Sequence, residues 1–181
     1  MKYKTAVVVV SLALASVILV GAARGLGQRG HTEKQQVAAS FYPVYIAAKN
    51  ILQGADDLEL VNLTQSQTGC LHDFTLRPQD MIALEGSALL LTNGAGMEGF
   101  LSDVAEGIPA LPVIDSSAGI PLLETESAVH LGEEEEHGMN AHVWMSPLRY
   151  EQQVKNLCDG LCGRFPQDRE RFEENTEAYI Q

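Results

Sequence analysis

Basic residues are scarce in this chain: 12 Lys and Arg face 24 Asp and Glu, for a formal charge of −12. Neutralising a phosphate backbone takes clustered cations, so a nucleic-acid partner is excluded while a bound cation is not. Cysteine is scarcer still. Cys70, Cys158 and Cys162 are too few and too unevenly spaced for a disulfide-stapled scaffold. There are only five histidines and one tryptophan, and neither a His-Glu-x-x-His helix nor a Gly-x-Ser-x-Gly turn occurs, so these two hydrolase signatures are missing.

What is present is a hydrophobic content of 45% over 181 residues, enough for one well-cored domain. Lys2 and Lys4 precede an uncharged apolar stretch over residues 5–23 that closes on small residues, the layout of a secretory signal or of an uncleaved N-terminal anchor. Either reading exports the remainder. No cysteine closes the stretch, which excludes lipid attachment there. Residues 24–35, rich in Gly, Gln and Arg without hydrophobic period, read as a tether.

From residue 36 onward short apolar runs alternate with helical patterns. Strands are predicted at 37–41, 58–63, 88–91 and 112–114, with helices at 43–51, 77–84 and 97–105 between them, Pro43 opening the first and Gly54 closing it. Strands alternating with helices on short links imply an α/β fold with a parallel sheet flanked by helices. Residues 124–140 break the rhythm with Glu133, Glu134, Glu135, Glu136 and His137, a charge run expected to form a solvated loop. Beyond it, Val154, Leu157, Cys158, Leu161, Cys162 and Phe165 follow one helical stripe, and packing is the expected role of both cysteines. After Pro166 a second helical stretch runs to Gln181 without a stop signal, so the chain reads as ending inside a helix.

Parallel sheets place their ligands in loops at the carboxyl edge, where His72 and His142 are expected. Imidazole suits zinc, but spacing alone leaves open whether the two histidines share a metal or serve as a capping donor and a surface residue. Asp73 and Asp80 read as helix caps, with orientation of a ligand imidazole as the second reading for Asp73. Trp144 and Pro147 are expected to fix the loop that carries His142, the one by burial and the other by opening the next helix. Glu98 reads as a structural carboxylate at a helix start.

Three stretches carry a family resemblance: His72-Asp73-Phe74-Thr75-Leu76-Arg77-Pro78-Gln79-Asp80, Asn93-Gly94-Ala95-Gly96-Met97-Glu98-Gly99-Phe100-Leu101, and Asn140-Ala141-His142-Val143-Trp144-Met145-Ser146-Pro147. With Phe41-Tyr42-Pro43 ahead of them, they resemble the solute-binding proteins of zinc and manganese ABC importers from about residue 36 to residue 181. The resemblance implies the first lobe of a two-lobed metal-binding protein: an α/β lobe over 36–165, and over 166–181 the start of the helix that joins the lobes. It implies that His72 and His142 are metal ligands, that a histidine and a carboxylate of a second lobe complete the set, and that an ABC permease receives the ion. The expected cargo is Zn2+, with Mn2+ as the alternative, and the chain is expected to be a truncated, non-catalytic binding component. Some zinc-type members carry a carboxylate immediately before the first histidine. Leu71 stands there instead, with Cys70 beside it. The acidic loop, with His130, Glu133, Glu134, Glu135, Glu136 and His137, is glutamate-heavy and histidine-poor, so metal held there would be held weakly and without selectivity. An exported zinc metallohydrolase and a surface adhesion or interaction module are the rival expectations.

Overall fold

The computed structural model describes residues 34–64, 74–124 and 139–181. The expected signal or anchor over 1–23, all but the end of the tether, His72, Asp73, Cys70 and the charged part of the acidic loop lie outside them. Among the described residues no helix is long and apolar enough to cross a membrane.

Four strands, β1 (Gln35–Ala39), β2 (Leu58–Asn62), β3 (Ser87–Thr92) and β4 (Val113–Asp115), form one sheet in the order β2-β1-β3-β4. All three pairings are parallel, with Val37 opposite both Leu60 and Leu89, and Leu91 opposite Ile114. Helices α1 (Tyr42–Ile51), α2 (Pro78–Glu85), α3 (Leu101–Gly107), α4 (Pro147–Arg164) and α5 (Arg169–Ile180) cover it. The α/β class and the strand sequence are those expected.

Side chains alternate across a strand with a period of two, and the core divides accordingly. Val37, Ala39, Leu89 and Leu91 face one side and pack under α1, α4 and α5; Ala38 and Leu90 face the other and pack with Leu84 of α2 and Val104 of α3. These residues are almost entirely buried, and each leucine sheltered in this way contributes about 1.5–3 kcal/mol. Gly160 lets α4 lie close to the sheet: a Cβ there would come within 2.4 Å of the Ile114 side chain. The stretch after Pro166 forms a short 3-10 turn and then α5, which packs on α1 and α4 with Phe172 fully buried.

Local chemistry sets the helix starts. Pro43, Pro78 and Pro147 occupy the first turns of α1, α2 and α4, where the missing N–H costs nothing. In α2 the Asp80 carboxylate accepts the Arg77 backbone N–H at 2.9 Å and two guanidinium bonds at 3.0 Å, which makes it the cap expected of it. Burial pushes the Asp80 pKa up, but the hydrogen bonds and charge of Arg77 outweigh it and hold the carboxyl below its ordinary range.

Candidate metal site

Strand order reverses between β1 and β3: β2 lies to one side of this pair and β4 to the other. At such a point the crossover connections diverge and leave a crevice beyond the carboxyl ends of the strands. Ser40 and Phe41 leave β1 there, Asn93 and Gly94 leave β3, and Ser116 and Ser117 leave β4. His142 comes to this edge on the segment that leads through a 3-10 turn (Val143–Met145) into α4.

Buried polar bonds hold that segment. The Asn93 amide donates to the Ala141 carbonyl at 2.9 Å and to the Gly94 carbonyl at 2.8 Å, and its oxygen accepts from the Gln153 amide of α4 at 2.9 Å. Gln153 also donates to the Ser116 hydroxyl at 3.0 Å. Asn93, Ser116 and Gln153 are nearly inaccessible, so strands β3 and β4, helix α4 and the His142 segment share one desolvated network. Apolar contacts supplement it: Trp144 is half-buried and meets Phe41 edge-on, with ring centroids 4.8 Å apart. Pro147 opens α4 directly behind it.

Glu98 ties the same edge together from below. Its carboxylate accepts the Ser40 hydroxyl at 2.7 Å and the backbone N–H groups of Asn93 at 2.6 Å and Gly94 at 3.0 Å. Burial raises its pKa against the pull of these three donors. The structural role expected of Glu98 is thus performed by direct bonds to the sheet edge. The helix that follows begins at Leu101, later than the predicted 97, because Gly94, Ala95 and Gly96 all take left-handed backbone and fold the chain back first. Only glycine fits position 94, since φ is +82° and a Cβ would sit 1.7 Å from an Asp115 carboxylate oxygen.

His142 is partly buried, its ring centroid 5.1 Å from that of Trp144. Its backbone N–H donates to the Asn140 side-chain oxygen at 2.9 Å, and its ring Nδ1 lies 3.0 Å from the same oxygen. The two ends of the acidic segment meet just ahead of it: Glu124 and Met139 form an antiparallel bridge, and the Asn140 N–H donates to the Leu123 carbonyl at 2.7 Å. Glu124 and Met139, which flank residues 125–138, are thus paired three residues ahead of His142.

The other described residues with metal-ligating chemistry are placed differently. Cys158 and Cys162 lie in the core as expected, with sulfurs 3.8 Å apart. Burial, reinforced by Cys158, pushes the Cys162 thiol up to about 12. A neutral thiol is a poor ligand, because the thiolate is the form that binds metal. No group of three or more His, Cys, Asp or Glu side chains suited to a metal occurs among the described residues.

A family model described as the periplasmic component A of the zinc-uptake complex matches residues 37–181. The chain belongs to this family. Among relatives in the zinc-uptake component A family, the high-affinity zinc uptake system protein ZnuA of Bacillus subtilis is 27% identical over 155 residues, covering 82% of this chain and 48% of that protein. The zinc-binding protein AdcA of Streptococcus pyogenes is 27% identical over 164 residues, covering 82% and 31%. The crystal structure of the metal-dependent lipoprotein YcdH of Bacillus subtilis superposes with a TM-score of 0.67 at 27% identity, over 81% of this chain and 51% of that one. The chain thus spans less than half the length of these curated relatives. The family is the one the three motifs resemble, and it is a metal-transport component rather than a hydrolase.

Sequence reasoning did not single out Ser40, Ser116, Gln153 or Asn140. Gln153 carried a usable signal: it sits beside Val154 on the apolar stripe of α4, and a polar side chain on a buried face must find partners.

Proposed function

We propose that this chain captures Zn2+ outside the cytoplasmic membrane, as part of a solute-binding protein that delivers the ion to a membrane ABC permease, with Mn2+ as the alternative cargo. The observation that carries the proposal is the placement of His142: a partly buried imidazole on a segment clamped to the carboxyl edge at the strand-order reversal, in a member of a zinc-uptake family. Imidazole is a borderline ligand that suits zinc, and the Asn93 and Trp144 contacts fix its backbone before the ion arrives, so little ordering entropy remains to be lost on binding.

In this reading His72 supplies the second imidazole, and further ligands come from a second lobe that closes over the same edge. Such closure would cover Met145 and Leu148, which are 74% and 80% exposed beside Pro147. Ligand capture by closure followed by opening at the permease is binding, not catalysis. The acidic segment with His130, Glu133, Glu134, Glu135, Glu136 and His137 is bounded by the paired Glu124 and Met139, the latter three residues ahead of His142, and its charge suits loose collection of cations.

Zinc titration of the purified chain against a competing chelator tests the proposal, using His142→Ala, His72→Ala and the double variant. The double variant is expected to lose saturable binding. Binding equal to that of the unaltered chain would contradict the assignment.

A further inference from the structure

The hydrogen bonds around Asn140 determine more than the path of the chain. A backbone N–H can only donate, so the Asn140 side-chain atom 2.9 Å from the His142 nitrogen must be the carboxamide oxygen. That same oxygen is 3.0 Å from Nδ1 of the His142 ring. A carboxamide oxygen carries no proton, so Nδ1 must supply the one in this bond, and the neutral ring then keeps its lone pair on Nε2.

We propose that Asn140 is a positioning residue for metal capture, holding His142 in the tautomer whose Nε2 lone pair is the one offered to the ion. The inference rests on the reading of His142 as a ligand. A metal-binding imidazole works best when its other nitrogen donates to an anchored oxygen, which fixes both the tautomer and the ring plane. Asn140 is anchored on its own account: its N–H donates to Leu123 at the base of the acidic segment, next to the Glu124–Met139 bridge. The orienting oxygen thus belongs to the part of the fold that closes that segment, while the ring is also confined by Trp144. Because the acceptor is a neutral amide, it orients the ring without setting a negative charge behind it. An aspartate would do both.

Nitrogen-15 spectra of the histidine rings in the metal-free chain, recorded where the ring is neutral, test the tautomer directly. The expected spectrum for His142 is that of Nδ1–H with an unprotonated Nε2. An Nε2–H tautomer in the unaltered chain would overturn the proposal, whatever the zinc affinity. Asn140→Ala is expected to give a mixture of tautomers and to weaken zinc binding by about 10–100-fold, while Asn140→Asp, which keeps the acceptor, retains the tautomer and binds zinc at least as tightly. Unchanged tautomer and affinity in Asn140→Ala would also refute it. Failure of the unaltered chain to bind zinc would count against the functional reading alone, because the ring spectrum needs no metal.

Discussion

Helix α4 brings two kinds of zinc-ligating side chain into the fold, His142 ahead of its first turn and the Cys158–Cys162 pair in its second half, and their surroundings are opposite. The cysteines sit among Leu157, Leu161, Phe165 and Phe172, where loss of water favours the neutral thiol of Cys162. The histidine stands at the sheet edge among oriented polar groups, with an oxygen acceptor for one ring nitrogen. Thiolate is the stronger zinc ligand in isolation, yet under the proposed function the weaker type is the one that would bind. Capacity to hold a metal is set by solvation and by hydrogen-bond partners, and only secondarily by residue type.

The sharpest test of the packing end is Phe172→Ala, which removes a fully buried ring beneath α1 and α4 and is expected to cost about 3–5 kcal/mol in denaturant unfolding. Loss of zinc binding out of proportion to loss of folded protein would show that the two ends are not separable. At the site end, Glu98→Gln puts an amide donor against one of the two backbone N–H groups that the carboxylate now accepts, and about 1–3 kcal/mol of stability should be lost. Unlike the change at Phe172, it should also disturb the ring environment of His142, readable in the spectra described above. Changing Cys158 and Cys162 to alanine should cost about 1 kcal/mol apiece and leave zinc affinity unaltered. A fall in affinity would erase the contrast between the two ends.

The smallest effect is expected away from both, at Asp80. Its carboxyl is held below the ordinary range, so its contribution is present above that range and lost as pH falls through the depressed folded-state value. Asp80→Ala should remove this acid limb and about 1 kcal/mol of stability through loss of the helix cap. An unchanged acid unfolding profile would refute that assignment.

The same contrast explains what could be read from the sequence. Apolar periodicity located all four strands and the stripe of α4, because Val37, Leu89, Leu157 and Leu161 are buried for the simple reason that they are apolar. It placed the start of α3 too early, since Met97 and Phe100 are core residues held in turns rather than in the helix. The polar lattice was out of reach: Gln153 meets Asn93 and Ser116 at separations of 60 and 37 residues, and no local pattern records such a meeting. Loop position alone put His142 at the carboxyl edge, but a role for it rested on the motif that it shares with Trp144. Asn140 lay inside that motif without a role, because its importance depends on which of its atoms faces the ring.

X-ray absorption at the zinc edge of the metal-loaded chain tests the central claim most directly. The expected result is a nitrogen and oxygen shell at about 2.0–2.1 Å with the outer scattering of imidazole, diminished in His142→Ala. A sulfur shell at about 2.3 Å, or imidazole scattering unchanged by that substitution, would contradict it.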